Sequence, residues 1–200
     1  GIPARGELYL APQMSYHVDD VRGLRRARYA GRRTLVIGGG TSAATSVASL
    51  AELAREAPET RAVWATRETA DTLIAESPGD PLPARRALRA AARARARGDD
   101  PAVTHLGGVV VEGFEFNAAT HRYRVTLRAA HEDEPGEPPR VEEVDQVLVN
   151  AGFGAEDSIC RELYVREGFD ARATSSSDPE LGFHVVGHKS FGRSPDFLLE

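Results

Sequence analysis

Cysteine and lysine are almost absent from this chain of 200 residues. The only cysteine, Cys160, excludes an internal disulfide and any C-x-x-C redox pair. The only lysine is Lys189, so arginine supplies all other fixed positive side-chain charges. No apolar run is long enough to span a bilayer. These shortages predict a protein without a membrane segment in a reducing compartment, with the cytoplasm as the expected location.

The charge balance limits the partners in a similar way. The formal net charge is −5 at pH 7, whereas binding to a phosphate backbone needs a basic excess. A general nucleic-acid partner is therefore not expected. The apolar fraction of 41% is enough for a core, and the length suits one domain, or one domain plus part of another.

Three consecutive glycines are the most informative feature. The apolar run Thr34–Ile37 predicts a strand, and the alanine-rich stretch that begins at Thr41 predicts an amphipathic helix. Between them, Gly38, Gly40 and Ala43 fit the spacing G-x-G-x-x-A, a dinucleotide-binding fingerprint. The alternative is a glycine-rich turn that binds nothing.

Each position of this fingerprint has a physical role. Gly38 allows a sharp turn, Gly40 lets a pyrophosphate approach the backbone, and Ala43 allows the helix to pack on the strand. The helix start offers free N–H groups and the positive end of its dipole to phosphates. The predicted cofactor-binding residues of the turn and the first helical turn are Gly38, Gly39, Gly40, Thr41, Ser42 and Ala43.

A second strand is predicted over 61–66, and the residues that follow it bear on cofactor choice. An acid at this strand end suits the ribose of NAD, whereas an arginine suits the 2′-phosphate of NADP. Arg67 and the hydroxyl of Thr66 favour NADP(H) over NAD(H), while Glu68 offers the ribose alternative. Arg67 as a plain surface arginine stays open.

The other elements complete an α/β domain. Asp19 or Asp20 is predicted to cap a short helix that ends near Ala30, and residues 131–140 are predicted to form an acidic loop. The loop shows no metal-ligand spacing. The remaining elements are predicted as a helix to about 98, strands over 103–106, 108–117, 121–129 and 145–152, and a hairpin connection at 117–120.

The order of these features resembles the two-dinucleotide-domain FAD/NAD(P) oxidoreductases, which include thioredoxin-reductase-like and flavin-monooxygenase-like proteins. The matching segments are Gly1–Pro3, Gly38–Ala44, Thr66–Glu68, Asp145–Gly152 and Phe183–Gly187. The resemblance implies an α/β fold with a Rossmann-like parallel sheet, crossover helices, a small antiparallel meander and a partial second domain. It implies a linker and lead-in helix over 1–33, an NAD(P)-binding domain over 34–152, and a returning part of an FAD domain over 153–200.

The resemblance also implies the cofactors and the partners. Gly152 would lie at the mouth of the cofactor cleft, and NADPH would be positioned for hydride transfer to FAD. The first fingerprint, which holds FAD in the family, is absent, so FAD is expected in the parent protein, with a missing FAD-domain half or a flavin-bearing partner. Two further departures are His188 where the family often has an acid, and the lack of the cysteine pair of thioredoxin reductase activity.

Two other functions stay open at this point. A stand-alone NAD(P)-dependent dehydrogenase would need a proton donor, and a non-catalytic nucleotide-binding or interaction module would not. The candidate donors, none of which sits in a recognisable motif, are His17, His184, His188 and Lys189. No catalytic residue and no metal ligand is predicted, and a homodimer stays open.

Overall fold

The computed structural model of the chain describes residues 3–74, 82–130 and 138–152. Its helices in these ranges are α1 (Glu7–Leu10), α2 (Arg26–Tyr29), α3 (Thr41–Glu56) and α4 (Pro83–Ala96), with a 3₁₀ turn over Ala11–Gln13. Its strands there are β1 (Arg33–Ile37), β2 (Arg61–Ala65), β3 (Val103–Leu106), β4 (Val109–Asn117), β5 (Arg122–Ala129), β6 (Arg140–Val144) and β7 (Gln146–Val149).

A parallel four-stranded sheet carries the glycine-rich segment. Its order is β3-β2-β1-β7, and Leu35 in β1 pairs with Val63 of β2 and Val147 of β7. Helix α3 connects β1 to β2, and α4 connects β2 to β3. Neighbouring parallel strands need such crossovers because the end of one strand and the start of the next lie a full strand length apart. The predicted α/β class with a parallel sheet and crossover helices is confirmed.

A separate antiparallel sheet has the order β4-β5-β6. The predicted hairpin is present: the Asn117 side-chain oxygen accepts hydrogen bonds from the N–H groups of Ala119 and Thr120. Strand β6 was not predicted, since its sequence is as acidic as the preceding loop. It forms because Val144 is buried and because the carboxylate of Glu142 contacts the guanidinium groups of Arg33 and Arg140.

Two apolar clusters pack on the two faces of the parallel sheet. On one face, Val36 and Trp64 lie with the buried residues of α3. On the other face, Leu35 and Val63 lie with the antiparallel sheet. Successive residues of a strand point to opposite faces, so an unbroken apolar run is needed when both faces are covered. Burying each such side chain stabilises the fold by about 1.5–3 kcal/mol.

The segment before β1 differs from the prediction. Only Arg26–Tyr29 is helical, and Leu24, which lies within the predicted helix, is 94% exposed. The Asp20 carboxylate accepts hydrogen bonds from the N–H groups of Gly23 and Leu24. It therefore caps a turn and not a three-turn helix. Farther upstream, backbone hydrogen bonds join Ser15 to Val147 and Val149, along the edge of β7.

Several predictions fall outside the described residues. These are the loop residues 131–137 and the whole segment 153–200 with its proposed relation to an FAD domain.

Candidate functional site

The order in which the chain adds strands to the parallel sheet reverses between β1 and β7, and the carboxyl ends of these two strands lie at this switch point. The chain moves from β1 to β2 and β3 on one side, and β7 then returns on the other side of β1. In open α/β sheets, ligands bind in the crevice at such a switch point. The three glycines that follow β1 (residues 38–40, the glycine turn) occupy this position.

Gly38 makes the turn out of the strand, and its neighbours leave no room for a side chain. Its φ is +131°, and a Cβ placed there would overlap the carbonyl oxygen of Asn150 at the end of β7. Its N–H donates to the Ala65 carbonyl at 3.0 Å, and the indole N–H of Trp64 donates to its carbonyl at 2.8 Å. The glycine thus lets the ends of β1, β2 and β7 approach closely.

Gly40 differs from Gly38 because nothing in its surroundings requires a glycine. It is the N-cap of α3, with φ −90° and ψ −179°, a backbone conformation that any residue adopts. A Cβ placed there would meet no atom of residues 3–74, 82–130 and 138–152 within 4 Å. The space beside Gly40 is therefore open on the side where its side chain would point.

The first turn of α3 is suited to an anion. It contains no acidic residue, and no side chain within the described part of the chain caps its first N–H groups. Thr41 and Ser42 are exposed, whereas Ala43 is fully buried against the sheet. Exposed backbone donors and the positive end of the helix dipole coincide at this point.

Gly39, between the other two glycines, faces the loop that follows β2. A Cβ placed there would lie 2.5 Å from Oε2 of Glu68 and 3.4 Å from Cδ1 of Leu73. Leu73 is fully buried, while Glu68 is half-buried. The carboxylate of Glu68 thus borders the glycine turn, a relation that the sequence alone did not reveal.

The two other predicted residues after β2 lie in different environments. Thr66 is 1% exposed, and its hydroxyl donates to the Glu68 carbonyl at 2.6 Å and lies 2.8 Å from Nε2 of His105. Arg67 is exposed, and no described residue forms a hydrogen bond or an ion pair with it. Thr66 therefore stabilises the loop from its buried side, and Arg67 lies on the exposed side of the loop.

A buried amide ties the end of β7 to α3. Ser46 donates its hydroxyl hydrogen to Oδ1 of Asn150 at 2.8 Å, and Nδ2 of Asn150 donates to the His17 carbonyl at 3.2 Å. The predicted site residue Gly152 follows; it is exposed, has a φ of +92°, and no other described residue lies within 4 Å of its Cβ position. Asn150 and Ser46 were missed as positioning residues, because a single polar residue at a strand end gives no pattern that names its partner.

We expect His105 to make stability depend on pH. Burial lowers the pKa of His105 below 6.5, and the backbone carbonyl of Ala96 opposes this only in part. The unfolded chain then binds the proton more readily, so this contribution is complete above pH 6.5 and is lost as the pH falls through the folded-state pKa. Urea unfolding should show a smaller loss between pH 7.5 and 5 for His105→Gln than for the wild type. Equal losses would exclude His105 as the source.

The described residues contain neither a candidate metal site nor a helix that could cross a membrane. No group of three or more His, Cys, Asp or Glu side chains in residues 3–74, 82–130 and 138–152 is arranged to hold a metal ion. Among the helices of those same residues, none has the length and apolar character that crossing a membrane requires.

Comparison with known proteins shows the fold. No family model and no curated protein matches the chain. Among solved structures, thioredoxin reductase from T. acidophilum matches with a TM-score of 0.54 and 16% identity, over 84% of this chain and 45% of that protein. Thioredoxin reductase from Lactococcus lactis matches with a TM-score of 0.52 and 15% identity, over 84% and 46%. L-lysine 6-monooxygenase from Pseudomonas syringae gives a TM-score of 0.49 and 20% identity, over 78% and 43%.

The chain therefore has a Rossmann-like α/β fold, with a four-stranded parallel sheet and a separate antiparallel sheet. It spans less than half the length of the thioredoxin reductases that it matches.

Proposed function

We propose that the chain binds a nicotinamide dinucleotide across the end of β1 and serves as the NAD(P)H-binding part of a flavin-dependent oxidoreductase. The observation that carries this proposal is Gly40. Its backbone conformation tolerates any residue, and the space beside it is open, so neither folding nor packing explains a glycine there. A pyrophosphate that approaches the backbone at a helix N-terminus does explain it.

In this proposal each residue of the turn has a separate task. Gly38 brings the ends of β1 and β7 together. The N–H groups of the first turn of α3, including those of Thr41 and Ser42, donate to the pyrophosphate. Ala43, fully buried, keeps the helix start against the strand. Gly152, exposed beyond β7, borders the cleft toward the nicotinamide end.

The chemistry would belong to the cofactors. When bound, a reduced nicotinamide supplies a hydride from its C4 atom. The residues of this chain bind and orient the dinucleotide, and no acid or base among them is assigned a proton transfer. The flavin would come from an FAD-domain half or from a flavin-bearing partner. The sequence favours NADP(H) through Arg67, and this choice stays a prediction.

Titration of the purified chain tests the proposal. Trp64 is the only tryptophan, and its indole bonds the carbonyl of Gly38, so its fluorescence reports on the glycine turn. We expect quenching that saturates with at least one of NADH and NADPH. Binding of neither nucleotide would sink the proposal. A yellow chain with a bound flavin would contradict the view that the flavin is held elsewhere.

A stand-alone dehydrogenase remains the alternative, and one contact favours testing it. Of the proposed proton donors, His17 belongs to the described residues, and its backbone carbonyl accepts a hydrogen bond from Nδ2 of Asn150, two residues before Gly152. Reduction of a carbonyl substrate by the chain without added flavin, lost in His17→Asn, would favour this alternative.

A further inference from the structure

We propose that Glu68, and not Arg67, sets the choice of dinucleotide, so that the chain prefers NAD(H) to NADP(H). In this proposal the Glu68 carboxylate accepts hydrogen bonds from the two hydroxyls of the adenosine ribose. The inference rests on the proposed function and specifies the ligand of the same site. It runs against the sequence-based preference for NADP(H).

The carboxylate of Glu68 lies next to the glycine turn. A Cβ on Gly39 would lie 2.5 Å from Oε2 of Glu68, so this oxygen lies beside the turn that would hold the pyrophosphate. The adenosine ribose is attached directly to that pyrophosphate, and an acid at the end of the second strand is placed to bind its hydroxyls. The flexible end of the Glu68 side chain thus reaches the turn itself, where Leu73 lies at van der Waals distance from the same point.

Hydrogen bonds and packing hold the backbone of Glu68 in place. Its carbonyl accepts hydrogen bonds from the Thr66 hydroxyl at 2.6 Å and from the Gly108 N–H at 3.3 Å. A Cβ on Gly107 would lie 3.0 Å from the same carbonyl oxygen. Because the backbone is fixed on these sides, only the side chain of Glu68 has to be ordered when it binds a ligand.

The side chains of Glu68 and Arg67 differ in how they lie relative to the glycine turn. The Glu68 carboxylate has no hydrogen-bond or ion-pair partner within the described part of the chain, so its acceptor sites are available to hydroxyl donors. Arg67 is exposed, and none of the described contacts joins it to the glycine turn. A phosphate on the 2′ oxygen would bring negative charge against an uncompensated carboxylate, and like charges repel strongly where solvent is partly excluded.

Paired titrations of the full chain test this inference. The probes are NADH and NADPH, with ADP-ribose and its 2′-phosphate to isolate the adenosine end. We expect NADH to bind at least about tenfold more tightly than NADPH, because hydrogen bonds to a charged group contribute on the order of tenfold or more. Glu68→Gln keeps the size of the side chain and removes its charge, so it should weaken NADH binding about tenfold and reduce the preference to within about threefold.

Arg67→Gln is the matched variant, since it removes the neighbouring charge from the same loop. We expect it to change both affinities less than about twofold. Tighter binding of NADPH by the wild type, abolished in Arg67→Gln, would overturn the inference and leave the proposed function intact. Binding of neither nucleotide would remove the proposed function and this inference with it. Thermal unfolding of both variants within a few degrees of the wild type shows that the fold is kept.

Discussion

Replacing Gly40 with aspartate is expected to abolish dinucleotide binding while leaving the fold at least as stable as the wild type. The backbone at Gly40 is extended and the Cβ position is open, so the side chain fits without strain. Aspartate is a preferred N-cap residue, and its charge suits the positive end of the helix dipole. It should therefore stabilise the fold by a few tenths to about 1 kcal/mol. The same carboxylate would occupy the pyrophosphate position and repel a dianion.

Gly40→Asn is the matched control because it has the same shape and capping ability without the charge. We expect urea unfolding to show stability no lower than that of the wild type for both variants. Quenching of Trp64 by NADH or NADPH should be weakened in Gly40→Asn and lost in Gly40→Asp, by about 100-fold or more if hindrance and charge each contribute about tenfold. Unchanged affinity in Gly40→Asp would place the phosphates elsewhere.

The local part of the fold could be predicted from the sequence. The apolar run before Gly38 and the apolar spacing after Gly40 predict a strand and a helix, and the structure has β1 at Arg33–Ile37 and α3 at Thr41–Glu56. Such signals depend on neighbours a few residues apart, so they survive without tertiary information.

The elements that were missed depend on distant partners. Strand β6 has three charged residues among its five, and the carboxylate of Glu142 becomes compatible with burial because it pairs with Arg140 and with Arg33, 109 positions earlier. Leu24 lies in the segment predicted as a helix, but the chain forms a turn at Asp20 and leaves Leu24 exposed.

The candidate site divides in the same way. The motif supplied the glycines, because the spacing G-x-G-x-x-A can be read from positions that are close in sequence. It could not supply the space around them: Gly38 is confined by Asn150, Gly39 faces Glu68, and Gly40 faces open space. These environments depend on residues that are distant in sequence, so no spacing rule distinguishes the glycines. The structure therefore changes which of them reports on folding and which on ligand binding.

Gly38→Ala is expected to reduce the free energy of unfolding by about 2–6 kcal/mol, the sum of roughly 1–3 kcal/mol for a strained backbone and roughly 1–3 kcal/mol for overpacking. The φ of +131° disfavours any side chain, and the new methyl group would overlap the Asn150 carbonyl oxygen. The turn is also held by Ala65 and Trp64, so it cannot relax freely. Urea unfolding followed by Trp64 fluorescence measures the loss. Gly98→Ala separates the two contributions, because Gly98 has φ +96° but open space at its Cβ position, and it should lose only the strain part. Equal losses at the two positions would show that the close approach of β7 does not confine Gly38.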